Sequence, residues 1–258
     1  MPTIKLAFEE YGEVSSQPLI ILHGFFASSR NWRFIAKKLA EYYHIFLVDM
    51  RNHGLSPHCV EMDYPSMADD LKSFMDQHDL PIANILGHSM GGKVAMWFAL
   101  QHPERVQNLI VADISPVSYQ HNFDYTIQAL IDLPLDQIAN RKQADEFLSS
   151  AISEQAYRQF LLQNLQLNEG KYSWRIDLDV FYHTADNIIA FPETALIFPD
   201  NKNVLFIMGG NSNYLNTKAI DARFPNAKIS ILEGANHWLH VDKPEEFCTN
   251  VIGFINKK

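Results

Sequence analysis

Cysteine is scarce in this 258-residue chain, which contains only Cys59 and Cys248, far apart in sequence. Neither belongs to a CxxC motif, and no Cys/His cluster has the spacing of a zinc site. The pattern predicts two reduced or buried thiols and no metal site, although one long-range disulfide is compatible with the composition. We therefore expect a cytoplasmic protein.

The chain also lacks long apolar runs and an excess of positive charge. No run of 18 apolar residues occurs, which argues against a transmembrane helix. The first ten residues, MPTIKLAFEE, do not have the apolar core of a signal peptide. The net charge of -9 repels phosphate backbones and anionic membrane surfaces. Nucleic-acid and membrane partners are therefore not expected.

Hydrophobic residues make up 47% of the sequence, enough for a large core in one domain or in a core with an inserted subdomain. Short runs that are apolar at nearly every position predict strands covered on both faces, as in a parallel sheet. These runs are 19–22, 45–48, 84–87, 109–112, 204–208 and 229–232. Helical spacing predicts a helix over 66–79 capped by Ser66, and another from Pro244. Alternating strands and helices indicate an α/β fold with a mostly parallel sheet and helices on both faces.

The stretch 117–190 breaks this alternation because it is rich in helical and aromatic patterns. We interpret it as a helical cap inserted over one end of the sheet, with 1–116 and 191–258 as the core. Additional core helices are the alternative interpretation.

The most informative segment is Gly87-His88-Ser89-Met90-Gly91. G-x-S-x-G between a strand-like and a helix-like run is typical of a nucleophile elbow. The tight turn needs very small residues two positions before and after the serine, and it makes the hydroxyl project. Ser89 is therefore the candidate nucleophile.

Acyl transfer passes through an oxyanion, which requires preorganised N–H donors. The elbow offers the N–H of Met90, and the loop after strand 19–22 offers that of Phe25. Gly24 lets this loop approach closely. An ordinary strand-to-loop turn is the alternative interpretation of this loop, and the elbow favours the oxyanion role.

Chain order selects the general base among eleven histidines. In this architecture the nucleophile is followed by the acid and then by the histidine. His237 lies after the last predicted strand, at the expected place, whereas His240 is interpreted as a surface or supporting residue. His23 and His88 each precede a turn and are expected to brace loops.

The acid departs from the commoner pattern, in which an aspartate follows the penultimate strand. Strand 204–208 is followed instead by Gly-Gly-Asn-Ser-Asn-Tyr, without a carboxylate. Asp113 follows the preceding strand and could reach the same histidine nitrogen, with Ser212 adding a hydrogen bond. Asp113 could alternatively cap its strand end, which would move the role elsewhere, for instance to Asp200.

Several strings together resemble one family. They are HGFF at 23–26, VDMRNHGLSP at 48–57, GHSMGGK at 87–93, DISPV at 113–117, GGNS at 209–212 and NHW at 236–238. This set is similar to the YbfF-type bacterial esterases of the ABHD11-like branch of the α/β-hydrolases. The resemblance implies an eight-stranded sheet, a helical cap, and hydrolysis of small esters and acyl-CoA thioesters without a cofactor. It implies the same serine, aspartate and histidine.

The substrate pocket is expected to be apolar and aromatic. Its candidate residues are Phe26, Tyr119, Phe123, Tyr182 and Trp238, although the same side chains could pack cap against core. No Lys or Arg occurs between 106 and 140, which weighs against a CoA phosphate there.

Other functions of this architecture stay open. Ser89 excludes haloalkane dehalogenases and epoxide hydrolases, which need a carboxylate nucleophile. A perhydrolase, a carbon–carbon bond hydrolase and a non-catalytic small-molecule-binding protein are compatible with the sequence. The chain is expected to act as a monomer or homodimer on a small ester or thioester.

Overall fold

The computed structural model describes residues 2–120 and 122–257. A seven-stranded sheet lies at its centre, with strand order β1-β3-β2-β4-β5-β8-β9. The strands are β1 (Phe8–Tyr11), β2 (Pro18–Leu22), β3 (His44–Val48), β4 (Ala83–His88), β5 (Val106–Ala112), β8 (Asn203–Gly209) and β9 (Lys228–Leu232). Only β1 runs antiparallel to its neighbour, so the expectation of a mostly parallel sheet is confirmed.

The sheet has one strand fewer among the described residues than the eight expected. In the segment before β1, two N–H groups bond to side chains and not to a neighbouring strand. The N–H of Ile4 donates to Asp70 at 2.9 Å and that of Ala7 to Ser56 at 2.8 Å. These bonds replace those that a neighbouring strand would make.

Helices cover both faces of the sheet. The α-helices of the described residues are α1 (Arg33–Leu39), α2 (Tyr64–Gln77), α3 (Met90–Gln101), α4 (Asp124–Ile131), α5 (Arg141–Leu148), α6 (Gln155–Leu161), α7 (Leu178–Ile189), α8 (Thr217–Arg223), α9 (Leu239–Asp242) and α10 (Pro244–Ile255). Alternate strand residues point to opposite faces. Thus Ile21 packs in the core with α1 and α10, whereas its neighbour Ile20 packs with α2 and α3.

The helix predicted from residue 66 begins earlier. Its N-cap is Asp63, whose carboxylate accepts a hydrogen bond from the N–H of Ser66 at 2.8 Å. The prediction of Ser66 as cap was therefore wrong, since aspartate fills this role equally well. The C-terminal helix begins at Pro244, as predicted.

Residues 117–190, which we call the inserted segment after the interpretation given above, contain more than helices. Besides α4 to α7 the segment holds an antiparallel hairpin of β6 (Leu165–Asn168) and β7 (Lys171–Trp174), which the aromatic pattern did not reveal. Its side chains pack against the core, and Asn164 donates a buried hydrogen bond of 2.7 Å to the carbonyl of Phe26. The described helices include none with the length and hydropathy to span a membrane.

Candidate active site

Ser89 lies between the end of β4 and the start of α3, with φ 53° and ψ -119°. This left-handed conformation is costly for a residue with a side chain. The turn leaves no room at its glycines: a Cβ on Gly87 would collide with the carbonyl of Gly91, and one on Gly91 with the carbonyl of Leu22. The N–H of Ser89 bonds at 3.0 Å to Ala112 at the end of β5. The strained turn is thereby held against the sheet.

The three candidate triad residues meet at this turn. Nε2 of His237 lies 3.1 Å from Oγ of Ser89, and Nδ1 lies 2.7 Å from Oδ2 of Asp113. The carboxylate can only accept, so Nδ1 carries the proton and Nε2 is the acceptor that faces the serine hydroxyl. The side chain of Asp113 is fully buried. The arrangement can remove the proton of Ser89 and return it to a leaving group.

Asp113 is held by two further donors. The N–H of Gly209 donates to Oδ1 at 2.7 Å, and the hydroxyl of Ser212 donates to Oδ2 at 2.5 Å. Gly209 is the last residue of β8 and Ser212 follows the strand, in a place where the sequence has no carboxylate. Asp200, the alternative acid, is exposed and lies before β8, at the opposite edge of the sheet. The structure therefore brings Asp113 to His237, and not Asp200.

The two candidate oxyanion donors flank Ser89. Within the described residues, the N–H groups of Phe25 and Met90 have no hydrogen-bond partner. Phe26 follows with φ 60°, and its carbonyl is the acceptor for Asn164. This bond from the inserted segment holds the loop that presents the Phe25 N–H.

Buried histidines support the site. His88 donates from Nε2 to the backbone carbonyl of His237 at 2.8 Å, and burial lowers the pKa of His88 to about 3. His240 is buried rather than at the surface and stacks on Trp32 with ring centroids 4.0 Å apart. His23 accepts from the N–H of Met50 at 3.0 Å and contacts the carbonyl of Gly24 at 2.8 Å. His23 and His88 thus brace loops, as expected.

A cavity of about 420 Å³ opens over Ser89. Its walls are mainly apolar and aromatic, and they come from both the core and the inserted segment. They include Phe25, Phe26, Ile114, Tyr119, Phe123, Tyr157, Phe160, Ile188, Ile189, Tyr214 and Trp238. The described residues contain no group of three or more His, Cys, Asp or Glu that could hold a metal ion.

Four of the five predicted pocket residues line this cavity: Phe26, Tyr119, Phe123 and Trp238. Tyr182 does not. Its side chain is 45% exposed on α7, and its neighbour Phe181 points inward and stacks on Phe25 with centroids 4.5 Å apart. Adjacent helical residues point in directions about 100° apart, so only one of this pair can face the site.

Several cavity residues had no predicted role. Tyr157 and Phe160 lie three apart on α6, the spacing that places side chains on one helix face, and this signal could have identified them. The ring of Tyr214 covers His237, with centroids 4.3 Å apart. The sequence signal for Tyr214 was its position two residues after Ser212, a candidate site residue.

Lys93 also lines the cavity, on α3 one turn from Ser89. Its ammonium group donates to the carbonyls of Ile189 at 2.6 Å and Ala190 at 2.8 Å, at the C-terminus of α7. Burial lowers the pKa of Lys93 to about 7. The side chain ties the helix that follows Ser89 to the end of the inserted segment.

Known proteins resemble the chain over most of its length. It is 38% identical over 256 residues to the mouse sn-1-specific diacylglycerol lipase ABHD11, covering 95% of this chain and 82% of the relative. It is 32% identical to esterase YbfF of Escherichia coli, covering 94% of each. The solved structure of a marine microorganism esterase superposes with a TM-score of 0.93 and 40% identity, covering 98% of this chain and 100% of that one.

A family model described as the alpha/beta hydrolase fold matches residues 17–244. This match spans the sheet from β2, the elbow and the histidine loop. The chain therefore belongs to the α/β-hydrolase family, in a branch whose relatives include esterases and lipases.

Proposed function

We propose that this protein is a serine esterase that cleaves carboxylic esters of short to medium acyl chains, and acyl thioesters, through an acyl-enzyme intermediate. The observation that carries the proposal is the chain of contacts Ser89–His237–Asp113, with distances of 3.1 and 2.7 Å, beneath an apolar cavity. Similarity to esterases and lipases supports hydrolysis of an ester bond.

In this mechanism Oγ of Ser89 attacks the ester carbonyl while Nε2 of His237 takes its proton. The tetrahedral oxyanion is stabilised by the N–H groups of Phe25 and Met90. His237 then donates the proton to the departing alcohol or thiol, and the acyl group stays on Ser89. A water molecule, activated by His237, releases the acid. Every step uses groups of this chain, so no cofactor is needed.

The cavity limits the length of the acyl chain that the protein can accept. Its volume lies in the range of small-molecule sites, about 300 to 1,000 Å³, and the buried residues Ile114, Ile188 and Ile189 form part of its wall. A short or medium acyl chain is enclosed by these walls. Ester and thioester carbonyls require the same nucleophile and oxyanion donors, which is why both substrates are proposed.

The test is hydrolysis of p-nitrophenyl esters from acetate to palmitate by the wild type and by Ser89→Ala. We expect activity with an optimum at short or medium chains, and its loss in the variant. Wild-type activity equal to that of the variant on all esters and on acyl thioesters would overturn the proposal. A ligand that then raises the melting temperature would favour a binding protein.

A further inference from the structure

The loop that follows β8 approaches the acid and the base of the site with two side chains. Ser212 donates to the carboxylate of Asp113, and Tyr214 lies on His237 itself. The centroids of the Tyr214 and His237 rings are 4.3 Å apart, and the ring planes are inclined by 32°. The aromatic face of Tyr214, and not its edge, is therefore turned toward the imidazole.

The position of Tyr214 is fixed through its backbone. Its carbonyl accepts hydrogen bonds from the hydroxyl of Ser115 at 2.7 Å and from the hydroxyl of Tyr119 at 2.8 Å. Ser115 is fully buried, and its oxygen also accepts from the N–H of Asn216 at 2.8 Å. The segment that begins with Asp113 thus holds the loop in place. Because these bonds end on backbone groups, they do not depend on the side chain at position 214.

The groups around His237 differ in charge. Among residues 2–120 and 122–257, Asp113 is the only charged side chain bonded to His237, at 2.7 Å from Nδ1. Burial lowers the pKa of His88 to about 3 and the pKa of His240 well below 6.5, so both stay neutral at pH 7. Burial, and then the charge of Asp113, raise the pKa of Tyr214, so its hydroxyl stays protonated. Tyr214 therefore presents a neutral ring to His237.

The face of an aromatic ring attracts a cation, because its π electrons give it a negative potential. In the proposed mechanism His237 becomes a cation when it takes the proton of Ser89. The side chain of His237 is 29% exposed, so solvent screens the attraction only in part. An attraction that arises with the proton transfer stabilises the transition state and not the bound substrate. It should therefore raise kcat without changing KM.

We propose that Tyr214 is a positioning residue whose ring stabilises the imidazolium form of His237 during acyl transfer. This inference rests on the proposed function and adds a residue to its mechanism. The string GGNS at 209–212 ends two residues before Tyr214. The ring acts through His237 and not on the ester itself.

The experiment compares Tyr214→Phe, which keeps the ring, with Tyr214→Leu, which keeps an apolar side chain and removes the aromatic face. Both variants retain the backbone carbonyl that Ser115 and Tyr119 hold. Tyr42→Leu is the control, because Tyr42 is 50% exposed and precedes β3, at the opposite end of the parallel strands from Ser89. The values of kcat and KM are measured on p-nitrophenyl acetate and butyrate. Urea unfolding checks that each variant is folded.

We expect Tyr214→Leu to lower kcat about tenfold on both esters, with KM close to the wild-type value. Tyr214→Phe should keep kcat within about twofold, because the ring face remains. The Tyr42→Leu control should keep both constants. Equal losses of kcat in the phenylalanine and leucine variants, or a change confined to KM, would overturn the role of the ring face.

A series of fluorinated side chains separates attraction of the charge from simple contact. Phenylalanines with increasing numbers of ring fluorines, placed at position 214, keep the shape of the ring and make its face progressively less negative. The value of kcat should fall with each added fluorine. An equal kcat throughout the series would show that the ring acts by contact alone, and it would reject the proposal.

The rate at which a fluorophosphonate labels Ser89 separates this inference from the proposed ester hydrolysis. In labelling, Oγ of Ser89 bonds to phosphorus, fluoride leaves, and His237 takes the same proton without an ester substrate. Slower labelling of Tyr214→Leu supports the inference even if none of the esters is cleaved. Ester hydrolysis with equal labelling rates in the wild type and this variant keeps the esterase and rejects the role of Tyr214. A wild type that is not labelled rejects both.

Discussion

The hydroxyl of Ser212 donates a 2.5 Å hydrogen bond to the same oxygen of Asp113 that faces His237. Ser212 follows β8, whereas Asp113 follows β5, its neighbour in the sheet. The strand end that commonly provides the acid thus provides a donor to an acid from the adjacent strand. This relationship makes the carboxylate of Asp113 a shared acceptor for a hydroxyl, an imidazole and the backbone of Gly209.

Replacing Asp113 by Asn should lower kcat by about 10³- to 10⁴-fold, because an amide can leave the histidine in the wrong tautomer. Ser212→Ala removes one hydrogen bond to the carboxylate and should cost about tenfold in kcat/KM. Steady-state rates on one p-nitrophenyl ester measure both effects. Similar losses in the two variants would contradict these different roles.

Gly87→Ala should destabilise the protein by about 2 kcal/mol and abolish esterase activity, since the new Cβ collides with the carbonyl of Gly91. Gly253→Ala is a matched control. Gly253 lies inside α10, and an added Cβ would have no atom within 4 Å apart from its chain neighbours and the backbone of its own helix, so alanine there should stabilise by about 0.5 to 1 kcal/mol. Urea unfolding measures both changes. A stable, active Gly87→Ala enzyme would refute the tight turn.

Phe123→Ala should shift the chain-length optimum toward longer acyl esters, because its ring lines the cavity and contacts Phe25. Tyr182→Ala provides the comparison, since this half-exposed side chain lies outside the cavity. The ratio of kcat/KM for the octanoate and butyrate esters should rise several-fold in the first variant and stay constant in the second. A change of this ratio in the Tyr182→Ala enzyme would show that Tyr182 does contact the acyl chain.

Acid should destabilise this protein well above the titration range of its carboxylates. Burial lowers the pKa values of His23, His53, His88 and His240 below 6.5. Below pH 6.5 the unfolded chain binds more protons than the folded protein, so the stability present above pH 6.5 is lost as the pH falls. Between pH 7.5 and 5.5 each of these histidines can remove at most about 1.4 kcal/mol, which is the limit for a group that stays neutral in the folded protein.

Urea unfolding at the two pH values measures this loss. His240→Gln is the informative variant. Any pH-independent effect of the substitution on the free energy of unfolding cancels when the values at pH 7.5 and 5.5 are subtracted. That difference should be smaller than in the wild type by at most about 1.4 kcal/mol. A free energy of unfolding that is equal at the two pH values would show that these histidines are protonated in the folded protein.

The sequence predicted the sheet and the meeting of Ser89, Asp113 and His237 because each depends on short-range patterns. Continuous apolar runs identify buried strands, and parallel strands place their carboxyl ends at one edge. Asp113 could be assigned because the acid is missing after β8 and present after β5. The turn chemistry of the elbow identified Ser89 in the same local way.

The insertion was less predictable, since its side chains are selected by tertiary contacts. Phe181 and Tyr182 are both aromatic, and only packing against Phe25 determines which of them faces inward. The hydrogen bonds of the segment before β1 were unpredictable for a similar reason. The side chains of Asp70 and Ser56 bond to that segment from distant positions, and no local pattern reveals such bonds.

The bond from Asn164 to the carbonyl of Phe26 makes the insertion part of the catalytic floor. The pocket and the candidate oxyanion loop are therefore structurally coupled, and they cannot be treated as interchangeable modules. A chimaera that takes this segment from a relative without an amide at position 164 would acquire a new acyl pocket and lose the support of its own loop. To exchange specificity between two relatives, the loop that contains Phe25 and Phe26 must therefore be transferred together with the segment.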